Sequence, residues 1–239
     1  VTKSMIKKAM ILAAGFGKRI HPLTLKSPKP LLKIGNKTLL SNTINFLENF
    51  GITKIVINVH YLAEQVVNYV NKMNFNSNIT IIEEKNNILD TGGGVLNVLD
   101  HFLHEPFLTI NPDTIWNSIH LNDLKSMENF FFSNDKAKCI MLLVKKARSF
   151  DQSFIGDFNL EKNLIIKRNK DDLKYIYTGL QIIKPEVFSG ISEKVFSINK
   201  IWNKLIINKQ LYGMESKTNF LHVSTLDVYK SLLKKNIKY

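Results

Sequence analysis

Residue types that bind phosphate are concentrated near the start of the chain, in the stretch LAAGFGKRIHPLTLKSPKP at 12–30. Gly15 and Gly17 allow backbone angles that other residues avoid, so the chain can approach a ligand closely and present several N–H groups to an anion. Arg19 adds a planar, permanently charged group that matches phosphate oxygens. Lys29 stands between two prolines, whose fixed φ angles restrict its direction. Together these residues predict a site for a polyphosphate.

The spacing excludes two common phosphate-binding motifs. A Walker A loop ends in Gly-Lys-Ser or Gly-Lys-Thr, and that ending is absent here. The dinucleotide fingerprint needs a third glycine, which is also missing. Taken alone, the Gly-x-Gly unit favours a structural turn, so the prediction depends on the whole stretch.

A candidate metal ligand follows an apolar segment, PFLTIN at 106–111, which we interpret as a buried strand. Asp113 at the carboxyl end of this strand is suited to hold Mg²⁺, which prefers carboxylate and phosphate oxygens. The alternative is a turn residue or a helix cap, because aspartate is common in both places. The run TGGG at 91–94 predicts a helix start, with a ligand role as the other interpretation.

Apolar segments and helical patterns alternate along the first half of the chain, which predicts an α/β fold with a mostly parallel sheet and helices on both faces. The second half is less regular and predicts a hairpin, a further strand and two helices. The predicted strands are 8–14, 54–59, 78–84, 106–111, 137–144 and 175–183, the hairpin is 156–168, and the predicted helices are 38–50, 63–73, 91–102, 121–132, 197–208 and 225–235.

The composition narrows the class of protein. The formal net charge is +13, which is compatible with nucleic acid, an anionic membrane or phosphorylated substrates, and equally with a compositional bias. The basic residues are spread out and form no RNA-binding signature, which argues against nucleic acid. Cys139 is the one cysteine, so no disulfide can form within the chain. No apolar run reaches membrane-spanning length. We therefore expect a cytoplasmic protein with neither a nucleic-acid nor a membrane partner.

Several motifs together resemble the sugar-1-phosphate nucleotidyltransferase family. Its amino-terminal signature is present in order as LAAGFGKR, PLT at 22–24 and PKP at 28–30. ILDTGGG at 88–94 is similar to the family's nucleotide-base loop, and NPDTIW at 111–116 is similar to its metal-binding segment. YTGLQI at 177–182 matches the strand that lines the family's sugar site. The resemblance therefore extends over most of the chain.

The resemblance implies a Rossmann-like (GT-A-like) single domain over 1–239 with no C-terminal β-helix. Its nucleotide-binding half would span about 8–145 and its sugar-phosphate-binding half about 146–239. The implied reaction moves a nucleoside monophosphate from a nucleoside triphosphate to a sugar 1-phosphate and releases pyrophosphate. The DTGGG and NxDxxW patterns are similar to a short branch that includes N-acetylmuramate-1-phosphate uridylyltransferases and mannose-1-phosphate guanylyltransferases.

This short branch favours UTP and N-acetylmuramate 1-phosphate as substrates, in the recycling of cell-wall (peptidoglycan) sugars. GTP with mannose 1-phosphate is the alternative pair. We expect a monomer or a weak homodimer.

The resemblance also implies roles for individual residues. Mg²⁺ is the implied cofactor, held by Asp113, and the implied catalytic set is Arg19, Lys29 and Asp113. The implied nucleotide-binding residues are Leu12, Ala13, Ala14, Gly15, Gly17, Lys18, Arg19, Gly92 and Gly93. The implied sugar-phosphate-binding residues are Lys29, Asn111, Thr178, Gly179 and His222. Lys167, Arg168 and Asn199 are weaker candidates, with a solvated hairpin face or a helix cap as alternatives.

The chain departs from the family pattern at three positions. Pro112 replaces the glycine before the metal aspartate, His222 replaces a second metal carboxylate, and Ser224 stands where glycine is usual. Imidazole is a poor ligand for Mg²⁺, so we expect His222 to contact a substrate phosphate or to pack beside the site. The missing carboxylate leaves another hypothesis open, a regulatory protein that binds nucleotide sugars without catalysis.

Overall fold

A nine-stranded mixed sheet forms the centre of the protein in a computed structural model, which describes residues 6–166, 172–235 and 237. The strands are β1 (Lys8–Leu12), β4 (Lys54–Val59), β5 (Asn78–Glu83), β6 (Phe107–Ile110), β7 (Cys139–Lys145), β8 (Asn159–Glu161), β9 (Leu164–Ile166), β10 (Tyr175–Ile183) and β11 (Leu211–Ser216), and a separate ribbon pairs β2 (Lys33–Ile34) with β3 (Lys37–Thr38). The helices are α1 (Leu39–Phe50), α2 (Ala63–Lys72), α3 (Asp90–Leu96), α4 (Ser118–Ser133), α5 (Asn199–Ile207) and α6 (Leu226–Leu233).

The strand order is β5-β4-β1-β6-β10-β7-β11-β9-β8, and seven of the nine strands run in one direction. The two exceptions are β10, antiparallel to both of its neighbours, and β9 in the short hairpin. The predicted α/β class with a mostly parallel mixed sheet is confirmed. Because β10 lies between β6 and β7, one sheet runs through both of the predicted halves, and their division near residue 145 stays a prediction about function.

Helices cover both faces of the sheet, as the alternation predicted. Helices α1, α2 and α4 bury Ile44, Val66 and Phe131 in the apolar cluster on one face. Helices α3 and α5 bury Val95 and Trp202 in the cluster on the other face. In the described residues, no helix is long and apolar enough to cross a membrane.

The helix ends follow local sequence signals. The Thr38 side chain accepts a hydrogen bond from the Ser41 N–H at the start of α1, and Gly51 ends this helix in the left-handed conformation at φ 103°. Helix α4 begins three residues before its predicted start because the Asn117 side chain caps it and accepts from the N–H groups of Ile119 and His120. All three boundaries are therefore decided by caps.

The sequence pattern missed β11 and the β2–β3 ribbon. Strand β11 contains Gly213, which weakens a strand pattern. A Cβ at this position would stand 2.7 Å from Leu160 and 2.8 Å from Leu143. The side chains of Leu160 and Leu143 leave room only for a glycine at position 213, although glycine has a low propensity for β-strands. The ribbon has only two residues in each strand, too few for a periodic signal.

The buried His120 side chain should make the folded state less stable at acidic pH. Burial lowers its pKa to about 4, below the ordinary value of 6.5, and its Nδ1 accepts a hydrogen bond from the Asn117 N–H. Because the unfolded chain binds the extra proton first, stability should be lost as the pH falls from about 6.5 towards 4, by roughly 3 kcal/mol at most. Chemical denaturation between pH 7.5 and 4 measures this loss.

His120→Gln keeps an acceptor for Asn117 but cannot titrate, so its stability should fall less steeply over this pH range. His101→Gln, at an exposed position, is the matched control and should retain the steep fall. Equal slopes in His120→Gln and the unchanged protein would show that another group governs the acid loss.

Candidate active site

Four neighbouring strands end at one edge of the sheet, where the end of β4 and the loops that follow β1, β5 and β6 line a cavity of about 400 Å³. This is where ligands bind in open α/β sheets. Ten of the predicted site residues line it, namely Leu12, Ala13, Ala14, Gly15, Gly17, Lys18, Arg19, Lys29, Asn111 and Asp113. Residues that sequence analysis did not select also line it, among them Asn58, Glu84, Asp90, Thr91 and Ser224.

The first loop has the geometry of a close-approach turn. Gly17 has φ 64°, and a Cβ there would stand 3.0 Å from Thr24 and 3.2 Å from Lys29, so only glycine fits without strain. The Thr24 hydroxyl donates to the Gly17 carbonyl at 2.9 Å. A Cβ at Gly15 would meet no protein atom within 4 Å. The loop is therefore anchored at Gly17 and faces open space at Gly15.

Two exposed cations follow this loop. Lys18 and Arg19 begin a short 3-10 helix, and both line the cavity. The Lys18 ammonium lies over the Phe16 ring, 5.3 Å from its centre, and this ring packs edge-on to His60 with ring centres 5.4 Å apart. Phe16 thus connects Lys18 to the segment after β4.

An ion pair joins this amino-terminal region to the end of β6. The Lys29 ammonium donates to Oδ2 of Asp113 at 2.6 Å, and the two side chains are 13% and 20% exposed. Burial alone would raise the pKa of Asp113, but the electrostatic and hydrogen-bonding effects of the neighbouring His222 and Lys29 side chains outweigh it and hold this pKa well below its usual range. Asp113 is therefore an ionised carboxylate at neutral pH.

His222 reaches Asp113 because residues 113–115 and 221–223 run side by side. The N–H of Val223 donates to the Asp113 carbonyl at 2.8 Å, and Thr114 forms a β-bridge with His222. Nε2 of His222 lies 3.2 Å from Oδ1 of Asp113, and the imidazole stacks on Phe220. His222 does not line the cavity, so its predicted contact with a substrate phosphate stays a prediction.

Asp113 is the candidate metal ligand, and its surroundings fit a Mg²⁺ ion that has only one carboxylate ligand from the protein. Its buried Oδ1 lacks an aligned hydrogen bond. In the parts of the chain that the structure describes, no group of three or more His, Cys, Asp or Glu side chains is arranged to hold a metal. Mg²⁺ commonly binds one or two carboxylates and takes its other ligands from water and substrate phosphates. The residues present fit such an ion, held by a single protein carboxylate.

Asp151 is a second carboxylate near the site, and its oxygens accept hydrogen bonds from serines. Ser224, which lines the cavity, donates its hydroxyl to Oδ2 of Asp151. Oδ1 of Asp151 accepts from the N–H and the hydroxyl of Ser153, at 2.9 and 2.6 Å. Burial would raise the pKa of Asp151, but these hydrogen bonds and the nearby His222 lower it below its ordinary value. Ser224 therefore holds the Asp151 carboxylate directly behind the cavity wall.

The predicted sugar-site residues meet at the junction of β6 and β10. The Asn111 N–H donates to the Gly179 carbonyl at 2.8 Å, and Gly179 has φ 92° where β10 has a bulge. A Cβ at Gly179 would stand 2.8 Å from Asn111. The Thr178 hydroxyl donates to the Leu142 carbonyl. Asn111 lines the cavity, whereas Thr178 and Gly179 are buried behind it and support its wall.

Gly92 and Gly93 lie at the start of α3 and do not line the cavity. Their N–H groups both donate to the Phe196 carbonyl, at 2.9 and 3.0 Å. A Cβ at Gly92 would stand 2.4 Å from the Phe196 ring, and one at Gly93 would stand 2.1 Å from the Lys194 carbonyl. The structure gives these glycines a packing role, and their contact with a base stays a prediction.

Three weaker candidates for the sugar-phosphate site do not line the cavity or fall outside the residues that the structure describes. Asn199 is the first residue of α5 and its amide donates to the Ser197 hydroxyl, so it neither lines the cavity nor caps the helix. Lys167 and Arg168 fall outside the described residues.

The comparisons with known proteins decide the family. The nucleotidyl transferase pattern matches residues 8–154, more than half of the chain. The chain belongs to the nucleotidyl transferase family. A UDP-glucose pyrophosphorylase solved with UDP-glucose has the same fold, with a TM-score of 0.76 over 96% of this chain and 97% of that chain, at 19% identity.

Curated relatives of this nucleotidyltransferase act on sugar phosphates. An N-acetylmuramate alpha-1-phosphate uridylyltransferase of Caulobacter vibrioides is 27% identical over 91% of both chains. The protein of that name from Neisseria meningitidis is 31% identical over 77% of this chain and 78% of its own. A mannose-1-phosphate guanyltransferase of Schizosaccharomyces pombe is 28% identical over 90% of this chain, which spans 60% of that protein's length. The chain is a sugar-1-phosphate nucleotidyltransferase.

Asp113 and His222 should respond differently to substitution. If Asp113 alone holds Mg²⁺, Asp113→Ala should remove nearly all metal-dependent activity, whereas His222→Ala should retain most of it because imidazole is a poor magnesium ligand. The measurements are kcat against Mg²⁺ concentration and the binding of Mn²⁺, followed by its paramagnetic signal, with UTP present. Equal loss of metal binding in both variants, at unchanged UTP affinity, would show that His222 is a ligand.

Proposed function

We propose that this nucleotidyltransferase transfers uridylate from UTP to N-acetylmuramate 1-phosphate, in the recycling of cell-wall peptidoglycan sugars. The observation that carries the proposal is the Lys29–Asp113 pair, which stands in one cavity with the glycine loop and Arg19. Uridylyltransferases among the relatives support the choice of substrates. In the reaction, a phosphate oxygen of the sugar phosphate bonds to the α-phosphorus of UTP, the bond from that phosphorus to the β-phosphate breaks, and pyrophosphate leaves.

The chain's own residues supply position and charge for this displacement. The open face of the loop at Gly15 receives the triphosphate, and Arg19 neutralises the charge that grows on the leaving pyrophosphate. Lys29, held by its flanking prolines, contacts the phosphate at the reacting centre. Asn111, supported by Gly179, orients the sugar phosphate for in-line attack.

Mg²⁺, when bound by Asp113 and the triphosphate, supplies charge neutralisation at the phosphate oxygens. Because Asp113 carries negative charge into a site for a polyanion, Lys29 and the metal both serve to make triphosphate binding favourable. The expected cytoplasmic location and the monomer or weak homodimer stay predictions.

Two alternatives have specific support. The guanyltransferase relative favours GTP and mannose 1-phosphate as substrates. The single carboxylate at the metal position favours a protein that binds nucleotide sugars without turnover. A panel of UTP and GTP with N-acetylmuramate, glucose and mannose 1-phosphates separates these hypotheses, with pyrophosphate release and product mass as readouts.

We expect the highest kcat/KM for UTP with N-acetylmuramate 1-phosphate. A higher value for GTP with mannose 1-phosphate would overturn the substrate assignment. Tight binding of nucleotide sugars without pyrophosphate release from any pair would favour the regulatory protein.

Arg19→Ala should lower kcat/KM by about 100-fold or more while leaving the fold intact, because it removes a charged donor at the transferring phosphate. Arg148→Ala, an exposed arginine that does not line the cavity, is the matched control and should keep full activity. Steady-state kinetics and thermal melting test both variants. Unchanged kcat/KM in Arg19→Ala would show that Arg19 does not contribute to catalysis.

Lys29→Ala should lose activity to a similar degree, because it leaves Asp113 without its close cation and the reacting phosphate without a donor. Lys29→Arg should restore only part of the activity, since a planar fork does not replace a compact ammonium at the same place. Full activity in Lys29→Arg would mean that positive charge alone is required.

A further inference from the structure

Two buried polar side chains lie beneath the nucleotide cavity, between the loop that follows β1 and the segment that follows β5. Asn58, near the end of β4, is 3% exposed, and Glu84, just after β5, is 4% exposed. Strand β4 lies between β1 and β5 in the sheet. A side chain at the end of this middle strand can therefore contact both walls of the cavity.

The two side chains form a continuous hydrogen-bonded link. Oδ1 of Asn58 accepts from the Ala13 N–H at 3.0 Å, and its Nδ2 donates to Oε1 of Glu84 at 2.7 Å. Oε2 of Glu84 accepts from the Leu89 N–H at 2.8 Å. Each oxygen and nitrogen of the two side chains thus has a partner, and the link runs from the first loop to the segment that carries Ile88 and Thr91.

Packing leaves this link little freedom. A Cβ at Gly94 would stand 2.9 Å from Nδ2 of Asn58 and 3.0 Å from Oε1 of Glu84, so α3 closes the third side. A second tie runs parallel to the first, because Nδ1 of His60 donates to the Glu84 carbonyl at 2.5 Å while its ring contacts Phe16. Asn58 and His60, at the end of β4 and just after it, consequently hold the loop after β1 at a defined distance from the segment after β5.

We propose that Asn58 and Glu84, named here the Asn58–Glu84 link, are positioning residues that set the width of the nucleotide cavity and so determine which nucleobase it accepts. The inference rests on the proposed binding of a nucleoside triphosphate in this cavity. The link acts through the backbone of Ala13 and Leu89, because its polar atoms are occupied by each other and by these N–H groups. Buried polar pairs of this kind rigidify a site only while every partner is satisfied.

An exchange of amide and carboxylate tests the link. Asn58→Asp places two carboxylates against each other, and Glu84→Gln leaves an amide donor facing another donor. The double variant N58D/E84Q reverses the direction of the central hydrogen bond while keeping both backbone acceptors, the shapes and the net charge. A direct role of the Glu84 charge on the base would not survive this exchange, whereas a positioning role would.

The readouts are the dissociation constants of UTP and GTP with Mg²⁺ present, the KM and kcat for both nucleotides, and the melting temperature. We expect each single variant to bind the preferred nucleotide about tenfold more weakly, the effect of one unpaired buried group, and to discriminate less between UTP and GTP. The double variant should return both values to within about twofold of the unchanged protein, which is the signature of a pairwise interaction.

Glu128→Gln provides the matched control, because this buried carboxylate also accepts a backbone N–H, from Ile6, but does not line the cavity. It should lower the melting temperature without changing nucleotide affinity or selectivity. Unchanged nucleotide affinity in both single variants, or a double variant as weak as the weaker single one, would overturn the proposal. UTP binding without turnover of any sugar phosphate would reject the proposed reaction. The role of the Asn58–Glu84 link would then still be tested by the dissociation constants of UTP and GTP.

Discussion

The ion pair between Lys29 and Asp113 joins two segments that are 84 residues apart, and the rest of the site is arranged around it. Lys29 is held between two buried prolines, and Asp113 lies three residues after the fully buried strand β6. Both side chains are mostly buried, so removing either would leave a charge without its partner in a poorly hydrated place, a change that is strongly destabilising. The sheet places β6 directly beside β1, which is what brings the two segments together.

Strand β10 joins the two halves of the chain in a single sheet. It lies antiparallel between β6 and β7, so the start of this strand is at the same edge as the ends of its neighbours. Its bulge brings the Gly179 carbonyl to the Asn111 N–H and leaves no room for a Cβ. The wall that contains Asn111 and Gly179 is thereby attached to the segment after β6 that carries Asp113, which is where we propose that the two substrates meet.

The balance of charge around Asp113 depends on which groups surround this carboxylate. A ring nitrogen of His222 lies next to Asp113, and the nearby Asp151 accepts hydrogen bonds from Ser153 and Ser224. In the cavity wall Asp113 lies beside Lys29, and Lys18 and Arg19 line the same cavity. Such a site is suited to a triphosphate that brings its metal ion with it, since the phosphates then supply most of the oxygen ligands.

The sequence by itself determined the family, the α/β class and the loop for which phosphate binding is predicted, because these depend on local features: glycines, prolines, charge and the alternation of strand and helix. It also placed Arg19, Lys29 and Asp113 at strand ends, where a parallel sheet brings loops to one edge. Three features remained outside its reach, namely the antiparallel insertion of β10, the pairing of 113–115 with 221–223, and the strand that contains Gly213. Each arises from contacts between segments far apart in the chain, which no local pattern records. Asn58 and Glu84 are the clearest case: a polar residue in the apolar segment KIVINV was the available signal, but only the tertiary structure shows that its amide spans the two walls of the cavity, because that depends on β4 lying between β1 and β5.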